Sequence, residues 1–112
     1  MLNLQNFEIY EIQSEFCSAI ANPKRLSILT EIEKKKVTVG ELAKALDLSI
    51  SNISQHLRIL KNSEIVKSEK IGQKVFYTIT DKRIFKICHA MRDVIFSLYE
   101  KRVDIFSESK KD

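Results

Sequence analysis

Between residues 49 and 61 the sequence carries hydrogen-bonding and cationic side chains with no carboxylate among them. They are Ser49, Ser51, Asn52, Ser54, Gln55, His56, Arg58 and Lys61. Asn, Gln, Ser and Arg have donors and acceptors that match the edges of DNA bases and the oxygens of phosphates. Because the major groove admits one α-helix, a helix with this face could read a base sequence. The alternative is an ordinary amphipathic helix whose outer face lacks acids.

A second group of polar and basic residues follows directly. Ile71-Gly72-Gln73 can turn the chain, and the alternation of apolar residues over 75–79 is typical of a strand. Together they predict a β-hairpin. Around its turn stand Lys67, Lys70, Gln73 and Lys74. Such a hairpin can form a wing that reaches the phosphates beside the groove.

Cys17, Cys88 and His89 are candidates for thiol or metal chemistry. Two cysteines are too few for a disulfide scaffold, and their separation excludes a CxxC motif. Three interpretations stay open. Covalent change at Cys17 and Cys88 could form a redox switch, Cys88 and His89 of two subunits could bind a metal ion, or the cysteines could be small core residues.

The sequence shows no catalytic pattern. Gly40 and Gly72 are isolated glycines and form no phosphate-binding loop, and no serine or acid pattern accompanies His56. A contact to DNA or a helix-packing hydrogen bond is the expected role of His56. We therefore expect no enzymatic activity and no cofactor.

The spacing of apolar and capping residues predicts the helices that would hold these side chains. A first helix is indicated by apolar residues at helical spacing, namely Leu4, Phe7, Ile12, Phe16 and Ile20. Asn22 before Pro23 predicts the start of a second helix. Thr38 with Glu41 has the spacing of a capping box that opens a short third helix.

Ser49 is the N-cap candidate of the fourth helix, which carries the polar face. Asp47 and Leu48 separate it from the third helix, as in a helix-turn-helix. A last helix is expected to be capped by Thr80-Asp81. Its apolar stripe consists of Ile84, Cys88, Met91, Ile95 and Leu98, widened by Phe85, Ile87, Val94, Phe96 and Tyr99. One side of a small domain cannot cover this width, so a partner helix is implied.

Composition fits one folded domain with a polyanionic partner. The 112 residues are 44% hydrophobic and 30% charged, which allows a single core. Residues 50–80 carry five cations against two carboxylates, whereas residues 1–20 carry three Glu and no Lys or Arg. A basic excess in one segment suits nucleic acid. The sequence has neither an apolar run of membrane-spanning length nor a secretory signal pattern, so a cytoplasmic location is expected.

Four stretches within residues 16–98 resemble the ArsR/SmtB winged-helix repressors. These stretches are Ala19–Leu29, Val39–Leu46, Leu48–Leu60 and Val75–Ile79. The resemblance implies a homodimer built from the first and last helices. It also implies that the dimer binds an operator as a repressor and releases it when an effector binds.

The effector of this family is often a metal, but the matching positions here lack ligands. The stretch Glu41–Leu46, where thiol-type members have cysteines, contains none. The zinc-type positions in the last helix are Asp81, Arg83, Val94 and Ser97. Arg83 is a permanent cation and Val94 has no lone pair, so this site is expected to be missing. A thiol or redox response through Cys17 and Cys88 is then the expected switch.

These observations predict a mostly α winged helix-turn-helix domain over residues 1–112, in the order α-α-α-α-β-β-α, with a short strand at Val37. The expected segments are 1–20 and 82–106 for dimerisation, 38–61 for the helix-turn-helix and 64–80 for the wing.

The expected function is repressor-type transcription regulation by a homodimer on double-stranded DNA. Its operator would be an imperfect palindrome with half-sites about 10 bp, or a multiple of that, apart. The alternatives are an architectural DNA-binding protein without an effector, a protein-interaction module, and a metal sensor that uses Cys88 and His89.

Overall fold

A computed structural model describes the chain over residues 6–110, and its side chains over residues 7–103. The elements in chain order are α1 (Asn6–Ile20), α2 (Pro23–Lys34), α3 (Val39–Leu46), α4 (Ile50–Asn62), β1 (Val66–Ile71), β2 (Lys74–Ile79) and α5 (Arg83–Lys110). The predicted order and the mostly helical fold class are confirmed. The chain divides into two compact units with the boundary after Asp81, so that α5 forms a unit separate from the other elements.

Most of α1 is exposed. Phe7 and Tyr10 are 74% and 65% exposed, and burial begins only at the end of the helix with Ala19 and Ile20. Leu4 and the rest of residues 1–5, which the dimerisation segment was expected to include, lie outside the described residues. From Asn6 onward the first helix is confirmed, and within the first unit its apolar side chains remain open to solvent.

The helices of the first unit begin where their capping residues predict. The Oδ1 atom of Asn22 accepts the backbone N–H groups of Lys24 and Arg25 at 2.9 and 3.1 Å, and Pro23 occupies the first turn of α2. A side-chain acceptor at this position satisfies N–H groups that have no partner inside the helix. The helix then contributes Ile28, Leu29 and Ile32 to the core.

The core of the first unit joins α2, α3 and α4 to the start of the hairpin. Its fully buried side chains are Ile28, Leu29, Leu42, Ile53, Leu57, Leu60, Ile65 and Val66. Because α4 contributes one apolar stripe to this core, its opposite side must face outward. The core therefore fixes which face of α4 can meet a partner.

The two strands form an antiparallel hairpin in which Ile71 pairs with Lys74 and Val66 pairs with Ile79. Gly72 and Gln73 form the turn, and Gly72 has a φ of +63°. Glycine adopts this left-handed backbone without steric cost, which explains its place at the turn. An isolated bridge between Val37 and Tyr77 pairs a third short segment with β2 and confirms the strand expected at Val37.

Thr80 closes the base of the hairpin and does not cap the last helix. Its Oγ1–H is shared between the carbonyl oxygens of Glu64 and Ile65, which lie 2.7 and 3.0 Å from Oγ1. Glu64 has a left-handed φ of +60°, which turns the chain from α4 into β1. Since α5 begins at Arg83 and the Thr80 hydroxyl bonds elsewhere, the Thr80 part of the predicted Thr80-Asp81 cap is wrong, and the Asp81 part stays a prediction. The Thr80 hydroxyl hydrogen-bonds to the carbonyl groups of the loop before β1 instead.

The long helix α5 runs past the expected end at residue 106 to Lys110. The predicted apolar stripe of α5 has a buried start and an exposed remainder. Ile84 and Cys88 are 6% and 5% exposed, whereas Met91 and Leu98 are 50% and 55% exposed. Over the described side chains of α5, burial is therefore confined to its first part.

Candidate nucleic-acid interface

The short helix α3 is capped by side chains at its start and by a left-handed backbone residue at its end. Thr38 and Glu41 form the predicted capping box: the Glu41 N–H donates to Thr38 Oγ1 at 3.1 Å, and the Thr38 N–H donates to the Glu41 carboxylate at 3.3 Å. The side chain of Lys35, 3.1 Å from Glu41, and the Thr38 backbone lower the pKa of this carboxyl below its usual 4.5. Asp47 ends the helix in the left-handed conformation, with φ of 53°. This geometry turns the chain sharply between α3 and α4.

Ser49 caps α4, which we call the recognition helix. Its Oγ accepts the N–H of Asn52 at 3.0 Å, as predicted from the sequence. Ile53, Leu57 and Leu60 bury one side of the helix with exposures of at most 2%. The exposed residues of the predicted set are Ser49, Ser51, Gln55, Arg58 and Lys61, and the half-buried ones are Asn52, Ser54 and His56. The structure thus separates an apolar inner face from an acid-free outer face that is polar except for the exposed Ile50 and Ile59.

Asn52 differs from its neighbours because its Oδ1 is buried without a hydrogen-bond partner among the described residues. An acceptor left unpaired away from water costs about 1–3 kcal/mol. The backbone N–H of Asn52, in contrast, donates to Ser49 Oγ.

His56 is held from a neighbouring helix by Arg25. The guanidinium Nη1 of Arg25 lies 3.2 Å from His56 Nδ1, so the helix-packing hydrogen bond expected for this histidine is present. Burial lowers the pKa of His56 below its usual 6.5, and the positive charges of Arg25 and Lys24 lower it further. Sequence reasoning did not assign a role to Arg25, because no local spacing connects a residue of α2 with one of α4.

The recognition helix is also tied to the wing. Lys61 Nζ donates a 2.7 Å hydrogen bond to Ser68 Oγ in β1. Ser68 was not among the predicted site residues. The bond leaves Lys61 exposed at the surface while it fixes the direction of its ammonium group.

The wing carries Lys67, Lys70, Gln73 and Lys74, and all four are exposed. The strand register distributes the lysines over two faces, because neighbouring residues alternate and paired residues share a face. Lys74 pairs with Ile71, which places it on the same face as Lys67. Lys70 pairs with Val75 and lies on the other face, with Ser68. The sequence predicted the basic wing but not this division.

The cysteines differ in environment. Cys17 in α1 is exposed and Cys88 in α5 is buried, and neither belongs to a disulfide bond. His89 is exposed next to Cys88. Over the described residues, no group of three or more His, Cys, Asp or Glu side chains lies together as a metal ion would need. Nor does any described helix combine the length and apolarity needed to cross a membrane.

An acid-free helix behind a tight turn, followed by a basic hairpin, defines a winged helix-turn-helix protein. Residues 22–68 match the sequence profile described as "Bacterial regulatory protein, arsR family". The nodulation protein NolR of Rhizobium meliloti is 38% identical over 90 residues, covering 80% of this chain and 74% of that protein. The transcriptional activator HlyU of Vibrio cholerae is 35% identical over 99 residues, covering 88% of each chain. This chain belongs to the ArsR family of bacterial regulatory proteins.

The same fold occurs in the solution structure of a homodimeric winged helix-turn-helix DNA-binding domain from Mycobacterium bovis. The TM-score is 0.78 at 20% identity, over 89% of this chain and 94% of that one. Because it belongs to the ArsR family, the chain is a DNA-binding transcriptional regulator of a non-enzymatic family.

Proposed function

We propose that this regulator acts as a homodimeric repressor that binds an imperfect palindromic operator in double-stranded DNA. In this proposal residues 51–58 of the recognition helix read bases in the major groove, and the wing lysines contact the flanking phosphates. Two copies related by a two-fold axis would place their recognition helices in successive turns of the groove, about 10 bp or a multiple of it apart. A cytoplasmic location follows from this activity, since bacterial DNA lies there.

One observation carries the proposal: the outer face of α4 offers exposed Ser51, Gln55 and Arg58 with no carboxylate between Ile50 and Asn62. Gln can bond an adenine edge with two hydrogen bonds, and Arg can do the same with guanine. The unpaired Oδ1 of Asn52 is buried, so this acceptor could meet a base only if the side chain turned outward.

Dimerisation is supported by the apolar side chains that the two terminal helices expose. On α1 they are Phe7, Ile9, Tyr10 and Ile12, and on α5 they are Ile87, Met91, Val94, Ile95, Phe96, Leu98, Tyr99 and Val103. Exposed apolar side chains in such number on one helix indicate an interaction site. The Mycobacterium bovis domain of the same fold is itself described as homodimeric.

The test is selection of bound duplexes from a random-sequence library, followed by binding of the recovered duplex and of a scrambled version at physiological salt. We expect recovery of a two-fold symmetric site that binds at least about 1,000-fold more tightly than the scrambled duplex. Equal binding of both duplexes would favour an architectural DNA-binding protein. No binding to either would favour a protein-interaction module.

We further propose that the effector acts on thiols and that the family's metal positions are unused. At those positions Arg83 brings a cation and Val94 an exposed apolar side chain, neither of which can ligate a metal ion. Exposed Cys17 is the accessible thiol, and it directly precedes Ser18, whose carbonyl oxygen accepts a hydrogen bond from Arg25.

Operator binding with and without an oxidant or polysulfide, in the native protein and in Cys17→Ser and Cys88→Ser, tests the thiol proposal. We expect the native protein to lose affinity and Cys17→Ser to be insensitive. A response unchanged in both variants would contradict it. A zinc response that disappears in Cys88→Ser would instead favour the metal sensor that uses Cys88 and His89.

A further inference from the structure

The side chain of Arg25 joins three helices. Its Nε donates a hydrogen bond to the carbonyl oxygen of Ala19, and its Nη2 donates to that of Ser18 at 3.3 Å, both at the end of α1. Its Nη1 lies 3.2 Å from His56 Nδ1 in the recognition helix. Arg25 is half-buried, so these contacts hold the guanidinium in one orientation. One planar cation therefore connects the end of α1 with the middle of α4.

This contact dictates where His56 carries its proton. A guanidinium has N–H donors only and stays protonated at any ordinary pH, so His56 Nδ1 must be the acceptor. A neutral imidazole that accepts at Nδ1 carries its hydrogen on Nε2. Burial and the charges of Arg25 and Lys24, which lower the pKa of His56, favour this neutral form.

We propose that Arg25 is a positioning residue that presents His56 Nε2–H to DNA as a fixed hydrogen-bond donor. The inference rests on the proposed function, because it requires the recognition helix to bind DNA. Its ligand is a hydrogen-bond acceptor: a base-edge acceptor such as guanine O6 or N7, adenine N7 or thymine O4, or a phosphate oxygen. Without Arg25 the ring would exchange between tautomers and could offer an acceptor at the same position.

The first test is a measurement on the native protein without DNA. Long-range ¹H–¹⁵N correlation spectra of the imidazole rings at pH 7.5 report which ring nitrogen is protonated, and His89→Gln assigns the two histidines. We expect His56 to be Nε2-protonated, and its Nδ1 to stay unprotonated until the pH falls below 6.5. A protonated Nδ1, or the tautomer mixture of an unrestrained histidine, would overturn the inference.

The second test compares Arg25→Gln with Lys24→Gln, a matched loss of one positive charge. Lys24 influences His56 through its charge alone, whereas Arg25 also makes the hydrogen bond. Both variants should raise the pKa of His56 toward 6.5. Only Arg25→Gln should convert the neutral His56 ring from the Nε2-protonated form to a mixture of the two tautomers. The ratio of affinities for the selected and scrambled duplexes should fall about 2–10-fold in Arg25→Gln, the worth of one hydrogen bond. In Lys24→Gln it should stay constant.

A double variant separates positioning from a merely structural role. If Arg25 acts through His56, Arg25→Gln should not change the affinity ratio further once His56 is replaced by Ala. Additive losses would overturn the inference even when the native protein prefers its selected duplex. A loss that differs between base-substituted duplexes identifies a base acceptor, and a uniform loss identifies a phosphate. If the native protein shows no preference among duplexes, the proposed function fails, and the tautomer measurement still stands by itself.

Discussion

Lys61 at the end of the recognition helix donates a 2.7 Å hydrogen bond to Ser68 in the first strand of the wing. It joins the element proposed to read bases with the element proposed to contact phosphates. Because the pair is exposed, we expect a coupling free energy of about 0.5 kcal/mol or less toward unfolding in a double-mutant cycle of Lys61→Ala and Ser68→Ala. Urea unfolding of the four proteins measures it. A coupling above about 2 kcal/mol would contradict the exposed environment of the pair.

Replacement of Gln55 by Ala should weaken binding to the selected duplex by about 1–3 kcal/mol and relax the sequence preference at one base pair. The physical reason is the loss of a bidentate amide on the exposed face of α4. Asn52→Ala should act in the same direction. Binding to a set of duplexes with single base-pair changes measures the preference, and Gln73→Ala in the wing turn provides the control that should leave it intact.

Replacement of a wing lysine by Ala should weaken all sequences alike and reduce the slope of log affinity against log salt by about one unit for each lysine–phosphate interaction removed. Lys70 and Lys74 lie on opposite faces of the hairpin, so the variant with the larger change identifies the face that meets the phosphates. Lys67→Ala should behave like Lys74→Ala because these two residues share a face. If the slope of log affinity against log salt is unchanged in all three variants, the wing lysines do not contact the phosphates.

Leu98→Glu should weaken self-association about tenfold or more, because a carboxylate would have to be buried where an exposed leucine is available for a partner. Lys101→Gln changes the net charge by the same amount on the same helix and should leave the dimer intact. Sedimentation velocity over a range of micromolar concentrations distinguishes the two variants. A native protein that stays monomeric in that range would refute the dimer.

Acidification should selectively remove the stability that His56 provides. Its pKa in the folded chain lies below 6.5, so folding favours the neutral ring. This contribution is fully present above pH 6.5 and is lost as the pH falls through the lowered folded pKa. The difference in unfolding free energy between the native protein and His56→Gln should therefore shrink on acidification. A difference that grows below pH 6.5 would mean that the folded chain prefers the charged ring.

Local signals in the sequence predicted the caps of the first unit. Asn22, Thr38 and Ser49 each bond to N–H groups two or three positions further along the chain, so spacing alone identifies them. Thr80 has the same residue type as Thr38 but donates to carbonyl groups of a loop before the hairpin. That choice depends on the three-dimensional path of the chain, which local spacing does not contain.

The residue types of the candidate site were predictable from the sequence, but the hydrogen bonds between its elements were not. The acid-free face of α4 and the basic wing follow from residue types, whereas the bonds from Arg25 to His56 and from Lys61 to Ser68 join different elements. The faces of the wing lysines depend on which residues form the turn, since a register shift of one residue exchanges the faces. The division of the α5 stripe into a buried start and an exposed remainder likewise requires the packed structure.

The hydroxyl of Thr80, shared between the carbonyl oxygens of Glu64 and Ile65, closes the base of the wing directly after the recognition helix. The exposed bond of Lys61 to Ser68 adds a weak second connection, and together the two favour one distance from the helix to the wing lysines. DNA must then match that distance through the width of its own grooves, which depends on base sequence even where no base is touched. Indirect readout of groove width should therefore add to the direct recognition of bases.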